Sequence, residues 1–241
     1  MTTDLETLRA RLIDPVPETR LRAALALARE GSLAGRAVVL EALTLPHPAD
    51  REEAIAVLGT IGALWTIDPL ASAIFDTCAG ARMDATHALA GTHRIEAVPH
   101  LIDALGDDDP ERRELARLGL GWILGPAMSA LLVSETFHEV TRDKAVAQDW
   151  WRANHPLFDA CVCYEEGAPV WLGHWVTELR SRPDELSPSV ESKLRMWTGH
   201  EVVSETAEQR AVEWEAWWHA NQTQFPRGRR YFWGRDAETL A

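Results

Sequence analysis

The sequence predicts an all-α fold: a right-handed α-solenoid of stacked helical hairpins, followed by a Trp-rich helical C-terminal cap. Three observations carry this prediction. A period of 31 residues runs through the first half of the chain. Within each period Ala and Leu stand four apart, on one face of a helix. Between the periods lie turns rich in Pro and Asp, which are helix-start signals.

The period is visible column by column. Arg20, Arg51, Arg82 and Arg113 are each 31 apart, as are Ala23, Ala54, Ala85 and Ala116, and Leu27, Leu58, Leu89 and Leu120. The next residue is small each time: Ala28, Gly59, Ala90, Gly121. A small side chain there lets a neighbouring helix approach closely. The first helix of each unit is expected after Asp14-Pro15, Pro46-His47-Pro48, Asp76-Thr77 and Asp107-Asp108-Asp109-Pro110, and is expected to end near Gly31, Gly62, Gly91 and Gly125. The second helix carries Val39, Leu70, Leu101 and Leu132, with Leu43, Ile74 and Leu105 four further on; this last column stops at Thr136. Each unit is therefore two antiparallel helices that bury their apolar faces only by stacking. The expected organisation is four such units within residues 1–136 and a cap, continuous with the solenoid, over 137–241.

The run from Arg51 to Gly62, followed by Asp68-Pro69-Leu70, resembles HEAT repeats of the short bacterial, bilin-lyase-like type. The unit from Arg82 to Leu105, with Ala97-Val98-Pro99-His100-Leu101, is similar. The resemblance implies the fold. It also implies a scaffold that binds proteins, since only a few members of such families are enzymes.

Of the eleven Trp, Trp65 and Trp122 lie in the first half and the rest follow residue 149. The second half echoes itself. His138-Glu139-Val140 precedes Trp150-Trp151, Asn154 and Phe158; His200-Glu201-Val202 precedes Trp217-Trp218, Asn221 and Phe225. Each echo is expected to be a helix end, a loop and a short Trp-bearing helix. Between them, 167–180 and 187–197 are expected to be helical. Arg182-Pro183-Asp184 and Leu186-Ser187-Pro188 are the turns, with Ser187 or Ser189 as N-cap. The segment from Leu194 to Gly199, followed by Trp214, Trp217, Trp218 and Asn221, resembles the end module of bacterial HEAT-repeat proteins. The run from Phe225 to Gly234 resembles the ending of an uncharacterised HEAT family typically encoded beside type VI secretion genes. That implies an accessory or immunity factor working near secreted toxins, and it brings no catalytic residues with it.

Composition narrows the function. Apolar residues make up 46% of the 241-residue chain and charged residues 25%, enough for a sizeable core and unlike a disordered chain. Acids outnumber bases 37 to 24, for a net charge of −13, which argues against a nucleic-acid binder that neutralises phosphates. Three cysteines make no disulfide framework. Met1 to Glu6 lacks a basic and then apolar leader. The stretch from Leu118 to Ser134 is too short and too broken by glycine and Pro126 to span a membrane. The expected setting is a reducing cytoplasm, with no membrane and no cofactor.

Several clusters are candidate sites. Trp214, Trp217 and Trp218 share a helix face and are expected chiefly in the core of a capping helix, with Trp217 as a candidate partner contact. Hydroxylases on HEAT scaffolds place His-Glu pairs just after the arginine column. Here those positions are Leu21-Arg22, Glu52-Glu53, Met83-Asp84 and Glu114-Leu115, without a histidine. His155, Cys161, Cys163 and His174 match no zinc spacing and read as part of an apolar segment. Arg227, Arg229, Arg230 and Arg235, interleaved with Tyr231, Phe232 and Trp233, form one basic patch, with Arg230 taken as a partner contact. The other reading is a terminal segment folded back on its own acids. Second helices are expected to line the concave side. There Glu41, Ser72, Asp103 and Ser134 form a polar column beside His100, and the following loops present Asp76, Asp107, Asp108 and Asp109. This is an acidic ladder for a basic protein partner, or else a solvated face with its Asp run capping a helix. The expected function is a non-catalytic scaffold that holds a toxin or secretion component. The alternative is a lyase or metal-dependent hydroxylase on the same scaffold.

Overall fold

A computed structural model describes residues 5–132 and 140–239. The first stretch holds α1 (Leu5–Arg11), α2 (Pro17–Arg29), α3 (Arg36–Ala42), α4 (Pro48–Ile61), α5 (Ile67–Ala73), α6 (Ala79–Gly91), α7 (Val98–Ala104), α8 (Pro110–Leu124) and α9 (Pro126–Leu131). After α1, long helices alternate with short ones, giving four stacked hairpins. The α-solenoid expected from the period is what the chain forms. Thr136, Ser134, His138 and Glu139 lie outside the described residues.

The arginine column has a specific job. In each long helix it is the fourth residue, and its guanidinium turns back to the two carbonyls of the preceding turn. Arg20 donates to Asp14 O at 3.0 Å, Arg51 to Leu45 O at 2.8 Å, Arg82 to Asp76 O at 2.9 Å and Arg113 to Asp107 O at 2.7 Å. The same clamp fixes the hinge between successive hairpins, which accounts for the unbroken spacing. The Ala and Leu columns are the stacking core; Ala54, Leu58, Ala85, Leu89, Ala116 and Leu120 are fully buried. At Gly59 and Gly119 a Cβ atom would meet the Ala88 and Ala90 methyls at 2.7 and 2.6 Å. The helices thus approach as closely as the small column allows.

The second stretch holds α10 (Val140–Asn154), β1 (Tyr164–Glu165), β2 (Ala168–Pro169), α11 (Leu172–Ser181), α12 (Pro183–Thr198), α13 (Ala207–Asn221), β3 (Tyr231–Phe232) and β4 (Arg235–Asp236). Helices α11, α12 and α13 pack round Trp175, Trp197, Trp214 and Trp218. The helix expected from 167 begins only at Leu172, because Gly167 (φ +81°) is a turn glycine. The helix expected from 187 begins at Pro183, and Pro188 sits inside it. Pro183 opens the helix, where an amide has no intrahelical acceptor, whereas Pro188, the sixth residue, forgoes one bond of the ladder.

The internal echo extends further than the Trp pairs, at a constant offset of 67. Asn154 and Asn221 donate to the carbonyls of Trp150 and Trp217 at 2.7 and 2.8 Å. Phe158 and Phe225 meet Tyr164 and Tyr231 edge to face at 5.0 and 4.9 Å. Each Tyr opens an antiparallel hairpin, Tyr164 opposite Pro169 and Tyr231 opposite Asp236. Both hairpin turns put two successive residues at positive φ: Glu166 and Gly167, then Trp233 and Gly234. This backbone matches the twist of the strands. The two hairpins, unlike the helices, were not among the expectations from sequence. Helix α13 also carries the repeat clamp, since Arg210, its fourth residue, donates to Ser204 O and Glu205 O at 3.3 and 3.0 Å. No helix among the described residues is long and apolar enough to cross a membrane.

Candidate interaction surface

The second half does not simply extend the stack; it runs along one edge of it. A helix C-terminus leaves carbonyls without intrahelical partners, and the second half supplies donors at each of the four long repeat helices, joined at α4 by Arg94 of the repeats. At α2, Arg235 donates to Gly31 O. At α4, Arg230 donates to Gly59, Thr60 and Ile61 O at 3.2, 2.7 and 3.2 Å, and Arg94 to Gly62 O at 3.0 Å. Beyond α6, Tyr164 N donates to His93 O at 2.7 Å. At α8, the β1–β2 turn donates from Glu166 N and Gly167 N to Trp122 and Ile123 O at 2.7 and 2.9 Å. The β3–β4 turn does the same for α12, from Trp233 N and Gly234 N to Met196 and Trp197 O.

Arg230 is therefore an internal strut. It is 2% exposed, and its guanidinium lies over the Trp197 ring at 4.4 Å. Burial lowers its pKa to about 10, which still leaves it charged at neutral pH. The expectation that it faces a partner is corrected: the helix carbonyls and the indole occupy it. The other three arginines of the patch are exposed but have contacts within the chain. Arg227 lies over Trp171 at 4.5 Å and Arg229 is 3.7 Å from Asp236. Buried Arg94 pairs with Glu238.

The edge opposite, made by the loops that precede the long helices, meets the second half at Gly106, beside Lys144, and exposes apolar side chains elsewhere. Ile13 and Phe75, two periods apart, are 87% and 70% exposed. Phe75 stands at an open cleft of 570 Å³ that it shares with Asp107, Asp108 and Asp109. Asp107 pairs with Arg112, and Asp109 caps α8 by accepting from Glu111 N at 2.9 Å. Asp76 holds Arg51 through two bonds of 2.7 and 2.8 Å, and that pairing keeps its carboxyl below the usual carboxylate range.

On the second helices, Glu41, Ser72 and Asp103 are all exposed and in register on α3, α5 and α7, with His100 half-buried. Two of the three have partners within the chain: Glu41 accepts from Arg20 at 2.7 Å, and Asp103 from Lys144 at 2.9 Å. The ladder is thus less negative than its sequence, and the aromatic Phe75 beside it is a feature sequence reasoning missed. Trp217 is half-buried. Its indole stacks parallel on His200 at 4.6 Å, stands edge-on to Trp214 and lies tilted against Phe225.

The metal-ligand candidates do not converge. Glu201 pairs with Arg195, His155 and His174 are exposed, and Cys163 is buried, which raises its thiol pKa. Among the described residues no group of three His, Cys, Asp or Glu is placed to hold a metal ion.

His93 is the group most sensitive to pH. It takes the positive φ (56°) that Gly31, Gly62 and Gly125 take at the other repeats. Burial, with Lys193 and Arg230 nearby, lowers its pKa to about 3. The unfolded chain therefore binds a proton that the fold excludes, and stability falls as pH drops from 6.5 towards 3, by about 1.4 kcal/mol per unit. Between pH 7 and pH 5 His93 is expected to remove about 2 kcal/mol. His93→Asn, which suits positive φ, should flatten this slope in urea titrations. Equal slopes for both proteins would contradict the assignment.

No curated protein matches the chain. Two engineered proteins solved by the Northeast Structural Genomics Consortium are similar to it. One is 18% identical, with 88% of this chain and 96% of that one covered and a TM-score of 0.41. The other is 19% identical, with 88% and 62% covered and a TM-score of 0.43. The family model for HEAT repeats matches residues 36–121. From α3 to the last turn of α8, this part of the chain is similar to HEAT repeats.

Proposed function

We propose that the chain is a non-catalytic scaffold that binds another protein through the open loop edge and the adjoining second-helix face. Residues 1–136 form the binding array and 137–241 its cap. The observation that carries this reading is the asymmetry of the two edges. One is covered along its length by the second half, whereas the other exposes Phe75 and Ile13 beside Asp107–Asp109. An exposed aromatic among carboxylates suits a partner with an apolar and basic contact surface, since aromatic anchors carry much of the energy of such interfaces. Charge complementarity would add speed and selectivity. The resemblance of the C-terminal end to a family encoded beside secretion genes supports a finer role. The chain would act in the bacterial cytoplasm as a toxin-immunity or secretion accessory protein.

The test compares the full chain with the triple variant Glu41→Lys, Phe75→Asp, Asp103→Lys as baits in native-host lysate under crosslinking. A stoichiometric partner is expected on the wild-type chain, bound at least tenfold more weakly by a variant that retains the wild-type circular dichroism spectrum. Undiminished binding by the variant would remove this surface from the proposal. No crosslinked partner for either bait would overturn the binding function.

A further inference from the structure

A second concavity lies on the covered side of the molecule, well away from Phe75. It is a groove of 390 Å³ between α2, α4 and α12, walled by the β3–β4 turn. Its size is that of a small-molecule site. Val57 from α4, Met196 from α12, and Phe232 and Trp233 from the turn make it apolar. These walls are fixed. Phe232 is 1% exposed, Trp233 N donates to Met196 O at 2.7 Å, and the Trp233 ring lies so close to Gly31 that a Cβ there would be 2.7 Å from it.

Charge at the groove runs against that of the chain. In a protein of net charge −13, two guanidiniums, Arg29 and Arg195, line it against one carboxylate, Glu53. Arg29 is exposed at the end of α2 and has no ion-pair partner among the described residues. Arg195 pairs with Glu201 at 3.2 Å and sits over the Trp233 ring at 5.6 Å. The smaller pocket on the other side of Arg195, of 230 Å³, is lined by Glu191 and Glu201, so an anionic group is favoured only on the Arg29 side. A flat indole wall with a guanidinium over it offers a stacking surface for an aromatic ring.

We propose that this groove binds a small aromatic organic anion. The ring lies against Met196 and Trp233, and the carboxylate or sulfonate is drawn to Arg29 and Arg195. The site needs the second half folded against α2 and α4, and it is independent of the protein-binding surface.

The probe is 8-anilinonaphthalene-1-sulfonate, titrated by fluorescence and calorimetry against the full chain. The control is N-phenyl-1-naphthylamine, which has the same ring frame without the sulfonate. One saturable site per chain is expected, with the neutral control at least tenfold weaker. Ala56→Trp, which fills the groove, and Arg29→Glu, an exposed charge reversal, should each weaken the sulfonate at least tenfold. Absence of saturable binding would overturn the proposal, and so would equal affinity for the neutral control. Should Ala56→Trp not fold, Arg29→Glu decides, and unchanged affinity in that variant overturns the site.

Discussion

Arg230→Ala is expected to destabilise the protein by about 3–5 kcal/mol, the sum expected for several buried carbonyls losing a charged donor. Three carbonyls at the end of α4 lose their donor, and each buried acceptor left bare costs about 1–3 kcal/mol. The change also opens a void beside Trp197, over which the guanidinium stacks. At this chain length each kcal/mol moves the melting temperature by about 2–4 °C, so thermal unfolding followed by circular dichroism should shift down by about 10 °C. Arg230→Lys keeps the charge but replaces the planar fork with one ammonium, which cannot reach carbonyls at 59, 60 and 61 together. It is expected to recover less than half of the loss. A shift below 2 °C for the alanine variant would show that the strut contributes little.

Trp197→Ala is expected to cost about 3–5 kcal/mol as well, the range for deleting a buried large aromatic. The ring is 1% exposed and stands edge-on to Trp175 at 5.0 Å, in the centre of the α11–α12–α13 cluster. It also forms the floor under Arg230. The two substitutions should therefore not add. The double variant is expected to be more stable than the sum of the singles by about 1–2 kcal/mol, because the cation–π contact is lost once and counted twice. Strict additivity in urea unfolding would mean that the stacked arrangement carries no energy of its own.

The repeat was legible because stacking imposes the same demand at every unit. The arginine clamp, the Ala–Leu stripe and the small residue after it recur at 31 because each hairpin meets a copy of itself. Arg210 performs the same clamp but stands 97 residues after Arg113 (210 − 113), off the period, so only the geometry of α13 identifies it. The strands escaped notice because each is two residues long, too short for an alternating pattern. Their signal was the pair Glu166-Gly167 and Trp233-Gly234, at the same offset of 67 as the Trp pairs. At the candidate surfaces, sequence misled through charge. Four arginines in nine residues read as an exposed patch; three of them are exposed, yet Arg230 is buried against helix carbonyls and the Trp197 ring. The acidic ladder reads as bare, but Arg20 and Lys144, distant in sequence, sit beside Glu41 and Asp103.

The capping of α2 by Arg235 joins positions 204 residues apart. A simple repeat array can mature unit by unit as it leaves the ribosome, since each unit needs only its neighbour. Here the first two long helices emerge with raw carbonyl ends that stay unmatched until the last hairpin has been made. At about 5–20 residues per second that interval is on the order of 10–40 s. During it, the nascent first half is a half-finished surface for chaperones to guard, and completion of the fold waits for the last hairpin to be translated.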